Sequence, residues 1–124
     1  MISFNLKADE IKSDSDFPDD ENGRVLLQMK ERGDDLSKPR KIDFVVIFLN
    51  HSSAELFASH FKKLGYEVII NNSKTIDTHP WDVIIQKNMI PTHRDITVFE
   101  DELGEYAATM SGRTDGWGGF VQQK

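Results

Sequence analysis

A chain of 124 residues, 38% hydrophobic and 29% charged, is long enough for one globular core that buries roughly two thirds of its unfolded surface, and too short for two. It contains no cysteine, which excludes disulfides, thiolate nucleophiles, thiolate zinc sites and iron–sulfur clusters, and fits a reduced cytosolic setting. The net charge of −6 is opposite in sign to the basic patch that displaces counterions from phosphates, so direct binding of RNA or DNA is not expected.

Residues 1–18 read as an acidic N-terminal segment, and residues 19–124 as a single domain. Within the segment Ile2, Phe4 and Leu6 alternate with polar residues, which allows a short half-buried strand. Met1 to Glu10 lacks the basic start and apolar stretch of a signal peptide. The longest apolar run, Phe44 to Leu49, is far short of the roughly 20 residues that span a bilayer. A soluble cytoplasmic protein with no membrane partner is the expectation. From about Asp19 the pattern becomes helical, with Val25, Leu26 and Met29 on one stripe and Gly33 placed as a left-handed cap. Gly33 to Arg40 supplies turn formers and Pro39, and reads as a loop.

Lys41 to Asn50 carries the strongest strand signal. Ile42, Phe44, Val46 and Phe48 point one way and Val45, Ile47 and Leu49 the other, as in a central strand covered on both faces. Ser52 and Glu55 have capping-box spacing, and Ala54, Phe57, Ala58, Phe61 and Leu64 form a helical stripe that Gly65 stops. Tyr66 to Asn71 and Trp81 to Gln86 are β-rich and suited to pair as a hairpin with a long connection. Pro91 and Thr92 open the last helix, Asp95 completes a second capping box, and Ile96, Phe99, Leu103, Tyr106, Ala107 and Met110 make its stripe, with Gly112 as the expected stop. The glycine-rich stretch from Asp115 to Val121 reads as a final strand.

This order predicts an α+β fold: a ferredoxin-like βαββαβ two-layer sandwich with a four-stranded antiparallel sheet and an extra N-terminal helix. Two candidates can cover the second face of the central strand, the N-terminal helix and a symmetric partner subunit, which would make a dimer. The helix is favoured.

Catalytic chemistry finds little support. His51, His60, His79 and His93 show no i, i+4 ligand spacing, so no metal site is expected. There is no nucleophile elbow, and no Lys-Ser or Lys-Thr follows Gly116, Gly118 and Gly119 to make a phosphate loop. The carboxylates look exposed, and exposed carboxylates do not act as acids at neutral pH. No catalytic residue, enzyme activity or cofactor is therefore expected. Phe44, Phe48 and Trp81 on the first and third strands of the βαββαβ unit are the positions where an RNA-recognition domain stacks bases, but that module's basic signature is missing and the rings read as core. Trp117, among three glycines, reads as a core residue packed against the last helix or, alternatively, as an interface anchor.

Four stretches together resemble one family: the loop Gly33-Asp34-Asp35-Leu36-Ser37-Lys38-Pro39-Arg40, the helix ending Leu64-Gly65-Tyr66-Glu67-Val68, the turn Met89-Ile90-Pro91, and Asp115-Gly116-Trp117-Gly118. They are similar to the RraB family of regulators of ribonuclease E activity, over about residues 21 to 121. The resemblance implies a ferredoxin-like sandwich and a protein that binds ribonuclease E and inhibits its cleavage without cleaving RNA itself. Gly33, Asp34, Asp35, Pro39, Pro91, Asp115, Gly116, Trp117 and Gly118 are its motif residues, expected to be structural.

Charge adds a docking hypothesis. Residues 1 to 22 hold seven acids against two lysines, and Glu100, Asp101, Glu102 and Glu105 form a second acidic cluster on a helix face. Asp14, Asp16, Asp19, Asp20, Glu21 and the second cluster are the expected surface for a basic protein partner such as ribonuclease E. A ligand-binding or immunity-type module of the same fold, with no nuclease partner, is the competing expectation.

Overall fold

The computed structural model describes residues 17–73 and 78–119. The expected strand around Ile2 to Leu6, the acids Asp14 and Asp16, and Phe120 and Val121 lie outside the described residues.

Helix α1 spans Glu21–Glu31. Asp20 caps it, accepting from the Gly23 amide at 2.8 Å, and Gly33 follows its end at φ 94°, a conformation that costs a side-chain-bearing residue more than glycine. Strand β1 is Arg40–Phe48, helix α2 His51–Lys63, strands β2 and β3 Glu67–Asn72 and Trp81–Met89, helix α3 His93–Ala108 and strand β4 Arg113–Gly119. The four strands pair antiparallel in the order β2-β3-β1-β4. That is the ferredoxin-like order, with β1 central as its two apolar faces required.

The core lies between the sheet and the helices. Ile42, Phe44, Val46 and Phe48 of β1 and Val83 and Ile85 of β3 are fully buried against Phe57 and Phe61 of α2 and Ile96, Phe99 and Leu103 of α3. Phe44 and Phe99 meet edge to face with centroids 4.8 Å apart, a favoured aromatic geometry. His60 stacks on Tyr106 at 4.2 Å at the core's edge.

Three expectations are corrected. Helix α1 does not cover the outer face of β1: Leu26 joins the same core as Ile42 and Phe99, and Asn22 hydrogen-bonds to α3. The helical side offers the stripe of α1 a wholly apolar surface, where Leu26 is buried in the core that Phe44 and Phe99 share. The cap of α2 is Asn50, accepting from the Ser53 amide at 2.9 Å, and not Ser52. Gly112 does not stop α3, which ends at Ala108 and is capped by Thr109. A Cβ on Gly112 would lie 2.4 Å from the buried Phe48 ring, so this glycine is needed for close approach.

Candidate protein interface

The Asp115-Gly116-Trp117-Gly118 motif makes a bulge. Trp117 pairs with Phe44 and Thr114 with Val46, so Asp115 and Gly116 together oppose Val45 alone. Gly116 takes φ 98° there, as a bulge glycine does. The extra residue turns Trp117 onto the helical side, where it packs half-buried on the core and its Nε1 donates to Asn22 Oδ1 at 2.9 Å. Trp117 thus packs its ring on the core while its polar edge is tied to α1.

Asn22 completes the junction. Its Nδ2 donates to Glu100 Oε1 at 2.8 Å and to Thr97 Oγ1 at 3.2 Å, so one amide ties α1, α3 and β4 together. Around it lies a depression of about 500 Å³ lined by Asp20, Glu21, Thr97, Glu100, Asp101, Thr114, Asp115 and Gly116. Acids from the start of α1, the middle of α3 and the bulge thus converge, although they lie up to 95 positions apart in the chain. Burial holds the Glu100 carboxyl above its ordinary pKa; the bond from Asn22 opposes this, and the charges of Glu21 and Asp101 reinforce it. Asp20 is shifted the other way, chiefly by the hydrogen bond from the Gly23 amide and then by that from His93, whose Nε2 lies 2.9 Å from Asp20 Oδ2. Such a cluster attracts Lys and Arg side chains. Among the described residues no group of three His, Asp or Glu side chains is arranged to hold a metal ion.

The remaining expected site residues divide. Asp19 is exposed and paired with Arg24 at 3.1 Å. Glu102 and Glu105 are exposed on α3 and do not line the depression: Glu102 lies about 100° round the helix from Asp101, and Glu105 lies on the face of Asp101 but one turn further along. Asp34 is buried and paired with Arg40 at 2.7 Å, and Arg40 also donates to the Asp35 carbonyl at 2.9 Å. Asp35 accepts from the Ser37 amide and hydroxyl at 3.1 and 2.6 Å. The Gly33-Asp34-Asp35 loop is thus closed on the first residue of β1, just after the exposed Pro39. Pro91, buried, precedes Thr92, which caps α3 by accepting from the Asp95 amide at 3.1 Å. This loop and the Ile90-Pro91 turn face each other across a groove of about 570 Å³.

Asn22 was missed by sequence reasoning, because its partners at positions 97, 100 and 117 leave no local pattern. Gly23 was missed too. A Cβ there would fall 1.8 Å from the Pro18 carbonyl oxygen, so the turn before α1 folds back only over a glycine.

Strand order and helix placement define a ferredoxin-like α+β sandwich whose conspicuous surface feature is a carboxylate-lined junction. A sequence model described as RraB, Regulator of ribonuclease activity B, matches residues 19–119, and the chain belongs to that family, one of regulators and not of catalysts. Comparison with curated proteins found no match.

Proposed function

We propose that the protein is a non-catalytic cytoplasmic regulator that binds a ribonuclease, as inhibitors of ribonuclease E do, and lowers RNA cleavage without binding RNA. The observation that carries this reading is the convergence of Asp20, Glu21, Glu100, Asp101 and Asp115 on one depression braced by Asn22. Asp20 and Glu100, held by the Gly23 amide and by Asn22, lose little freedom when a cation arrives, and a field of one sign speeds encounter with a basic partner, by about 10- to 1000-fold in favourable cases. The RNA-binding and scaffold segments of a ribonuclease are basic, which supplies that partner. The same field repels RNA.

The test is cleavage of a model RNA by purified ribonuclease E with and without the protein, at low and high salt, beside a direct RNA-binding assay. Slower cleavage that recovers as salt rises, with no RNA bound, is expected. Unchanged cleavage at both salts would refute the reading and favour the ligand-binding or immunity-type module of the same fold.

A further inference from the structure

The face of the sheet turned away from the helices bears an apolar row. Ile69, Ile84 and Val45 are direct register partners across β2, β3 and β1. Ile69 is 44% exposed, and the other two are half-buried. The row runs into a hollow of about 520 Å³ beside Val45, bounded by Asp43, Asp115 and Gly118, where a Cβ on Gly118 would meet nothing within 4 Å. Among the described residues no helix lies against this face, since the buried stripes of all three share the core on the other side.

Charge selects the occupant. On this face Lys41 and Glu67 neutralise each other at 2.9 Å, which leaves Asp43, Asp82 and Asp115 against Arg113. A second copy stacked face to face would set one acidic rim on another. A chain with apolar side chains flanked by Lys or Arg matches both the row and the rim. Burial, and after it the charge of Asp115, push the Asp82 carboxyl above its ordinary pKa, and a partner's cation placed between the two carboxylates would offset the second of these causes. Asp115 and Gly116 border the acidic depression as well, so the two surfaces meet at the bulge.

The geometry points to the open sheet face as the second half of the docking surface: a basic amphipathic segment of the partner crosses the bulge and seats its apolar side chains on Ile69, Ile84 and Val45. This deepens the ribonuclease-binding reading and rests on it for the partner's identity.

The test titrates the isotope-labelled full chain, followed by backbone amide shifts, with two synthetic peptides of equal positive charge, one alternating Arg with Leu and the other of Arg and Ser. The Arg-Leu peptide is expected to shift the amides of Val45, Ile84 and Ile69, and the Arg-Ser peptide those around Glu21 and Asp101 alone. Ile69→Ser, on an exposed edge-strand position and neutral like the residue it replaces, is expected to weaken the Arg-Leu peptide by roughly tenfold, as loss of one buried aliphatic contact does, and to leave the Arg-Ser peptide within about twofold. Ile84→Thr gives a second reading at the row's centre, with its melting curve checked beside wild type. Shifts confined to the depression with both peptides, or concentration-dependent dimerisation that protects Ile69 and Ile84, would overturn the inference. Either result leaves the inhibition assay standing, whereas unchanged cleavage there with normal Arg-Leu binding would remove the nuclease and keep the sheet-face site.

Discussion

Asn22→Asp offers the sharpest test of the junction. The substitution keeps the side-chain shape and the oxygen that accepts from Trp117 Nε1 at 2.9 Å, but replaces the donor to Glu100 Oε1, at 2.8 Å, by a second carboxylate. Two unit charges about 4 Å apart repel by ~4 kcal/mol at an effective dielectric near 20. Half-exposure screens this, and sharing a proton limits it further, so a loss of about 2 kcal/mol at pH 7 is expected, or about 8 °C in Tm for a domain of this size. The pH dependence follows from the direction of the shift. Glu100 already has a raised pKa in the folded protein, and the new neighbour raises the pair's upper pKa further. Between the unfolded and folded values the folded state binds more protons, so stability rises as pH falls through that window. Urea and thermal unfolding of wild type, Asn22→Asp and Asn22→Ala at pH 7 and pH 4.5 measure this. The alanine variant loses its hydrogen bonds at both pH values, at about 1 kcal/mol each, while the aspartate variant recovers most of its deficit in acid. An aspartate variant as stable as wild type at pH 7, or a deficit unchanged at pH 4.5, would refute the bridging role.

Three further outcomes are expected. Arg40→Met leaves the buried Asp34 carboxylate without its cation and destabilises by about 3 to 5 kcal/mol, and adding Asp34→Leu restores much of that in denaturant titrations. Gly112→Ala, whose Cβ would press on the buried Phe48 ring, costs more than Gly116→Ala, which meets open space and only strains a φ of 98°; thermal melts should give roughly 1 to 2 kcal/mol for Gly116→Ala. Combined Glu21→Gln, Asp101→Asn and Asp115→Asn slow association with the ribonuclease in surface-bound kinetics, by roughly tenfold at low salt, while Glu102→Gln with Glu105→Gln leaves the rate nearly unchanged; equal effects of the two sets would move the docking surface off the depression.

The elements legible in the sequence were those whose signals are local. Gly33 and Gly65 mark the ends of α1 and α2 because left-handed backbone follows the last turn, and Thr92 caps α3 because its hydroxyl lies within reach of an amide three residues on. The two-faced apolarity of β1 pointed to its central place, which it has between β3 and β4, although among the described residues no helix covers its second face. The cap at Asn50 escaped because Asn50, Ser52 and Ser53 stand within four positions and any of them has the chemistry. The misplacement of α1 has another source: an apolar stripe says that a helix packs, and nothing in it says against which layer.

Residue pattern alone determined the order of strands and helices and, through four short motifs, the family. Tertiary structure alone decided which acids stand together: Glu21 and Asp101 share a depression, Glu102 and Glu105 do not line it, and Asp34 is spent on Arg40 inside the fold. The reason is one of range. Backbone propensity and helical phase act over a few residues and can be read along the chain, whereas a shared electrostatic field needs distances in space, and those exist only once Asn22 has met Glu100 and Trp117.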